Sequence, residues 1–394
     1  MKSRILVTGG TGYLGRHVVP LLLEHFEIDL LSRHPPSAKS VPSAPPQTKS
    51  APPPQVASAT PQTKSVPPPQ VASATPQMKP STWKLNWLQG DLTKWNGGLE
   101  VEKLKGRYAC LLHMGALYDL RATPADLMLH NVAGTQNAMT IAQKADIPFF
   151  VNTSTVAVTA NLRNFSATPY DLSSDSPYPD AYAESKAVVE SQVRSWGTCQ
   201  VGAFGTSTEP VHRLNLRMGV LVANSSGGEA IPRIDGPYHL VHAFQRVLPL
   251  LKRIPGPLWL PGSSRRLPLV PVDIAAKAVA DLLIRWVGRA DFDYLSLHLT
   301  PTKGPTALEL YESLLNYLGV EKDIRIIHRL PAGAAAWGLQ RFLDLPRAEV
   351  LYMLRLPNLD SRDTIKLLGE HWCPPFADYA HALWKGYTQY VSHS

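Results

Sequence analysis

Cysteine is scarce in this 394-residue chain: three residues, Cys110, Cys199 and Cys373, without CxxC or CxxH spacing. An odd, unpatterned count excludes a disulfide framework, offers no zinc site, and makes a reducing compartment the expectation. Charged residues are also sparse, 18% against 44% apolar, which excludes disorder throughout and allows one large core or two intimate ones. No apolar run reaches the roughly 18–20 residues of a membrane span; residues 214–223, the most apolar later stretch, are only ten. Three strongly apolar residues before Thr8 are too few for a secretory h-region. The expectation is a soluble, cytoplasmic protein without a membrane span.

Acidic residues are absent from residues 37–80, and 14 of the 36 prolines crowd into 35–80. Lys39, Lys49, Lys64 and Lys79 carry half of the net charge of +8 there. The remainder, about +4, suits an anionic cofactor or substrate and argues against nucleic acid as a partner. From Pro46 the chain repeats: PQTKSAPPPQVASAT, PQTKSVPPPQVASAT, then PQMKP, a fifteen-residue period. Units with only single Val and Ala residues to bury cannot offset the entropy of ordering, so residues 37–80 read as an extended, disordered insert and not a solenoid. A proline-rich ligand for a partner groove is one role for it. A tolerated loop insertion weighs more, because long surface loops close cheaply.

Around this insert the pattern is regular. Strand-like runs at 4–8, 27–32, 84–89, 108–113, 149–153 and 212–217 alternate with helical periodicity after Gly15, around 131–145 and over 181–196. That alternation predicts an α/β fold, a doubly wound parallel sheet, with a smaller, mainly helical C-terminal part. The division expected is a dinucleotide-binding domain over 1–220 and a substrate-binding domain over 221–394, interleaved with a last strand and helix near 268–300. Leu267–Val272 reads as a strand, with Asp273 placed to cap the helix that follows.

Thr8-Gly9-Gly10-Thr11-Gly12-Tyr13-Leu14-Gly15 sets glycines at Gly9, Gly12 and Gly15 between a strand and a helix. Glycine permits the tight turn, and the helix N-terminus offers amides to a pyrophosphate. Arg16 and His17 stand where a Walker A loop needs Lys and Ser/Thr, which disfavours nucleoside triphosphates. The second strand ends at Ser32 and Arg33; an arginine there can clamp a 2′-phosphate, so NADP (NADPH) is expected over NAD. Asp91, followed by Leu92, closes the third strand, where a carboxylate could accept from an adenine amine or cap a helix.

Tyr182-Ala183-Glu184-Ser185-Lys186 puts a phenol and an amine one helical turn apart. An ammonium nearby can lower a tyrosine pKa by roughly 1–3 units, toward proton exchange near neutrality. Just upstream, Thr153, Ser154 and Thr155 end the fifth strand, where such sheets place their ligand crevice. TGGTGYLG, HMGA at 113–116, NVAGT at 131–135, the hydroxyl cluster and YAESK follow the order and approximate spacing of the extended short-chain dehydrogenase/reductase family, which the chain resembles over residues 1 to about 300. The resemblance implies Thr155, Tyr182 and Lys186 as a catalytic triad, with Lys186 also holding the nicotinamide ribose. It implies Gly115 and Ala116 along the cofactor and Asn131 in support. Two departures are Met218 after Arg217, where the family often has Pro, and the repeat insert. Residues 216–228 with 234–238 look most like fatty-acyl and carrier-protein thioester reductases.

The function expected is NADPH-dependent reduction of a ketone, aldehyde or acyl thioester, the substrate being a small molecule or carrier-bound. The alternatives are a nucleotide-sugar epimerase or dehydratase with tightly bound NAD, and a non-catalytic NADP-sensing scaffold. No metal site is expected; a homodimer is compatible with the sequence. Residues 238–251 place Leu240, Val241, Phe244, Val247, Leu248 and Leu251 on one helical face, with His239, His242, Gln245, Arg246, Lys252 and Arg253 around it. This is a lid toward an acyl carrier or, more simply, an amphipathic helix packed on the substrate domain.

Overall fold

The computed structural model describes residues 2–35, 84–119, 122–162, 166–172, 177–196, 211–328 and 331–393. The repeat insert and Cys199 lie outside these residues. Seven short runs, most of them apolar and bounded by glycine or polar residues, form one sheet: β1 (Arg4–Thr8), β2 (Glu27–Ser32), β3 (Leu85–Gln89), β4 (Cys110–His113), β5 (Phe149–Thr155), β6 (His212–Met218) and β7 (Tyr294–Leu299). The order is β7-β6-β5-β4-β1-β2-β3 and every pairing is parallel. A parallel sheet is covered on both faces, which is why Ile5, Leu6 and Val7 are consecutive and all buried.

Helices α1 (Gly15–Leu23), α2 (Gly134–Lys144), α3 (Ala181–Ser195), α4 (Pro237–Arg253) and α5 (Val272–Trp286) follow the strands. Val18 and Leu22 of α1 and Val279 and Leu283 of α5 join Ile5 and Val7 in one core layer. Leu6 points to the opposite face with Ile141 of α2 and Val189 of α3, the period-two alternation a strand imposes. The doubly wound expectation holds, and the strand order reverses between β1 and β4, where such sheets open a crevice.

A second core lies beyond the sheet. Leu240, Val241 and Phe244 of α4 pack with α6 (Ala307–Tyr317), α8 (Arg347–Arg355) and α10 (Phe376–His393) through Leu310, Leu314, Val350, Tyr379, Leu383 and Trp384. Helices α7 (Ala332–Leu343) and α9 (Arg362–Leu368) complete the helical tail. One local expectation is corrected. Asp273 does not cap α5: the strand is only Leu269–Pro271, paired with Val220–Val222, and Pro271 occupies the cap position. Proline at the strand end fixes the entry into the helix. Asp273, inside the first turn, instead accepts hydrogen bonds from the Ser225 N–H at 2.8 Å and hydroxyl at 2.5 Å.

Candidate active site

The turn after β1 is tight because glycine makes it so. Gly9 has φ +69°, and a Cβ on it would lie 2.4 Å from the Met114 carbonyl carbon; a Cβ on Gly15 would lie 2.3 Å from the Gly9 carbonyl oxygen. The start of α1 thereby closes against the strand ends. Two cavities flank this turn and share Gly9, Gly12, Met114, Ala116 and Leu117. The first, about 560 Å³, is also lined by Tyr13, Leu14, Gly15, Thr155, Tyr182, Lys186 and Met218. The second, about 640 Å³, is lined by Ser32, Arg33, Asp91, Leu92 and Gly115. A cradle that any side chain would fill, floored by a helix N-terminus and running both ways along the sheet edge, fits a dinucleotide with its pyrophosphate at the glycines. The sequence-derived cofactor residues all border one cavity or the other.

In the second cavity the polar groups are partly engaged within the protein. The Ser32 hydroxyl donates to the His34 carbonyl at 2.6 Å and accepts from the Trp87 indole at 3.1 Å, holding the exit of β2. Asp91 accepts from the N–H and hydroxyl of Thr93 at 3.0 and 2.8 Å. Burial works against its charge, but Thr93, with Arg33 and Lys94, keeps the carboxyl below its ordinary range. Asp91 therefore stabilises its own turn and stands as a carboxylate beside Arg33.

The first cavity holds the expected triad. Asp180 caps α3 by accepting from the Ala183 N–H at 2.8 Å, so α3 begins where Tyr182 and Lys186 fall on one face. The buried Lys186 donates its Nζ proton to the Thr153 carbonyl at 2.8 Å, and burial lowers its pKa to about 8 despite Glu190. Thr155 ends β5. Burial raises the Tyr182 pKa, Asp180 raises it further, and Arg233 and a hydrogen bond with Thr155 pull it back. The sequence gives the tuning role to Lys186; here its ammonium is tied to Thr153, and the opposing cation is Arg233. Asn131 sits in a π turn, Met128–Ala133, entering α2. Its side chain bonds the Leu117 N–H at 2.7 Å, the Leu117 carbonyl at 3.1 Å and the Ser185 hydroxyl at 2.9 Å, fastening the cavity loop to α3.

Several groups in this site carry no sequence signal. The Tyr118 ring meets Tyr182 edge-on at 4.8 Å. Arg233 lies 4.1 Å over the Tyr118 ring, donates to the Tyr118 carbonyl and pairs with Asp235 at 3.1 Å. Tyr352 of α8 donates to Asp180 at 2.5 Å. Tyr118 and Tyr182 also wall a third, mostly apolar pocket of about 120 Å³, together with Val156, Leu310, Val350, Met353, His239 and Glu349. Arg217, which precedes the Met218 that departs from the family pattern, is buried in a pair with Glu190 at 2.7 Å; the residues after it that line the first cavity are Met218, Gly219, Val220 and Leu221. Helix α4 packs as an amphipathic helix, with Leu240, Val241, Phe244 and Leu251 buried, Val247 and Leu248 partly so, and Arg246, Lys252 and Arg253 exposed.

Residues 7–279 match an NAD-binding family described as "Male sterility protein". Among solved structures, the terminal R domain from the myxalamid PKS-NRPS biosynthetic pathway is 20% identical, over 100% of this chain and 91% of that one, with a TM-score of 0.64. A UDP-glucose-4-epimerase from Stenotrophomonas maltophila with bound NAD and formylated UDP-arabinopyranose is 16% identical over the whole of both chains, TM-score 0.62. DesIV, a dTDP-glucose 4,6-dehydratase from Streptomyces venezuelae with NAD and TYD bound, is 19% identical over 99% of this chain and 98% of that one, TM-score 0.59. At these identities the likeness speaks for the fold alone. No curated protein matches in sequence.

Proposed function

From the premise that the chain belongs to the NAD-binding family described as "Male sterility protein", among the extended short-chain dehydrogenase/reductase enzymes, we propose that it is an NADPH-dependent reductase of a ketone, aldehyde or acyl thioester. One observation carries the reading: Tyr182 lines both the cavity beside the glycine turn and the apolar pocket, so a carbonyl held by its hydroxyl faces a cofactor on one side and a substrate body on the other. Bound NADPH supplies hydride. Thr155 and Tyr182 donate hydrogen bonds to the carbonyl oxygen, and Tyr182 passes its proton there as negative charge develops. Arg233 stabilises the phenolate left behind, which regains a proton from solvent, while Lys186 holds the nicotinamide ribose. Reduction of a thioester begins with the same attack and ends with release of a thiol.

The test is a panel of carbonyl and acyl-thioester compounds followed by NADPH oxidation, with NADH in parallel. NADPH is the expected donor because Arg33 lines the adenosine-side cavity. Arg33→Ala is expected to raise KM for NADPH by roughly 10- to 100-fold, the worth of a charge-assisted contact, and to leave KM for NADH within about twofold. Equal effects on both would remove Arg33 from 2′-phosphate recognition. The likeness to NAD-bound sugar-nucleotide enzymes keeps epimerisation or dehydration as the competing reading. Purified protein carrying stoichiometric NAD would favour that reading.

A carrier-bound substrate is the finer form of the proposal, and the exposed cations of α4 are its candidate docking charges. Reversing Arg246, Lys252 and Arg253 to Glu is expected to raise KM for an acyl-carrier substrate by about tenfold, because rim charges govern encounter, with free small substrates unaffected. Unchanged kinetics with the carrier would exclude this face.

A further inference from the structure

The apolar pocket narrows the substrate class. Resting on the reductase reading above, we propose that the substrate carbonyl bears a compact, uncharged, mainly apolar group, about one six-membered ring in bulk, with a hydrogen-bonding substituent that meets Glu349 and His239.

Size is the first argument. The pocket holds about 120 Å³, whereas an apolar cavity of roughly 150 Å³ takes a single benzene. A ring or short branched group fits beside Tyr182, whereas a sixteen-carbon chain would have to leave the pocket for most of its length. Charge is the second. No Lys or Arg lines this pocket among the described residues, so an anionic group entering it would lose its water without gaining a counter-ion. The third is an unsatisfied acceptor. Glu349, from α8, has a buried Oε1 with no hydrogen-bond partner among the described residues, and its side chain is 11% exposed. His239 Nε2, from the first turn of α4, is 3.5 Å from that oxygen. Buried carboxyl oxygens are seldom left unbonded, and a ligand hydroxyl or amide N–H supplies the missing donor. Burial pushes the Glu349 carboxyl up to about 8, Asp235 and Asp180 adding to this against a Gly236 backbone hydrogen bond and Arg233. Near neutrality Glu349 is then mostly a neutral acid that both donates and accepts, which suits a hydroxyl.

The experiment uses the full chain with NADPH and three aldehydes: cyclohexanecarbaldehyde, its 4-hydroxy derivative, and hexadecanal. The ring aldehyde is expected to exceed hexadecanal in kcat/KM by at least about tenfold, and the 4-hydroxyl to add about tenfold more, the worth of one satisfied hydrogen bond. Glu349→Ala should erase only the increment from the hydroxyl. Glu349→Gln, which keeps a donor and an acceptor, should retain most of it and serves if the alanine variant does not fold. Preference for hexadecanal, or a hydroxyl increment untouched in both Glu349 variants, overturns the inference while the reductase reading stands. Titration calorimetry with the unreactive 4-(hydroxymethyl)cyclohexanol, on wild type and Val350→Phe, separates the two ideas. Binding that the filled pocket abolishes, without turnover of any aldehyde, sinks the reductase reading and supports the pocket; no binding and no turnover sinks both.

Discussion

Tyr182→Phe is expected to lower kcat for carbonyl reduction by about 10²- to 10⁴-fold, the usual worth of a positioned general acid, and to leave NADPH affinity within about twofold by fluorescence titration. The substitution removes only the hydroxyl, while the ring keeps its edge-on contact with Tyr118 at 4.8 Å. A loss confined to KM would show that the hydroxyl binds substrate without transferring a proton. The pH dependence has a stated sign. Burial holds Lys186 near a pKa of about 8, so the ammonium proposed to hold the nicotinamide ribose is present below that value. The wild-type rate of reduction is expected to fall as pH rises through about 8. Stability runs the other way. Between about 8 and 10.5, the ordinary lysine value, the unfolded chain binds the proton that the native chain does not. The contribution of Lys186 to stability is therefore present above 10.5 and lost as pH falls through about 8. A rate that instead climbs through pH 8 would remove the ammonium from the mechanism.

Glu190→Gln is expected to cost about 3–5 kcal/mol in denaturant unfolding, because it leaves the guanidinium of Arg217 buried without its carboxylate. The two side chains are 1% and 2% exposed. Arg217 donates to Glu190 through Nε at 3.0 and 2.9 Å and through Nη2 at 2.7 Å, and its Nη1 reaches the Thr168 carbonyl at 3.2 Å and His298 at 3.4 Å. Burial and the charge of Arg217 push the His298 pKa down to about 3, so the imidazole is neutral and can accept. Replacing both charges, Glu190→Leu with Arg217→Met, is expected to return most of the lost stability, since a buried pair and an apolar pair of similar volume are often nearly equivalent. Should the double variant be no more stable than the single one, the cost lies in packing and not in the orphaned charge. Glu190 also sits one turn beyond Lys186 on α3 and raises its pKa. The single variant should thus shift the alkaline limb of the rate profile downward as well.

What could be read from the sequence followed from how local its causes are. Val7, Gly9 and Gly15 announce a strand, a turn and a helix within a dozen residues, and Tyr182 with Lys186 needs only helical spacing. The parallel, doubly wound sheet follows from the alternation of strands and helices and the chirality of their crossovers. Arg233, Tyr118, Tyr352 and Glu349 were illegible for the opposite reason. Arg233 and Tyr118 come from separate loops and Glu349 and Tyr352 from α8, and these segments meet only because the second core folds against the strand ends. Asp273 shows a local rule overruled: a carboxylate after a strand reads as a cap, but Pro271 had already set the helix start.

The bond from Tyr352 to Asp180 at 2.5 Å has a consequence for biosynthesis. The acid that starts the helix bearing Tyr182 is fastened by a hydroxyl translated 172 positions later, and the Leu269 carbonyl is likewise held by Tyr379 at 2.8 Å. A nascent chain emerging from the ribosome can therefore assemble its glycine cradle early, but it remains without these fastenings until Tyr352 and Tyr379 have been made. A product that stops before Tyr352 would keep the residues of the glycine turn and lack both fastenings.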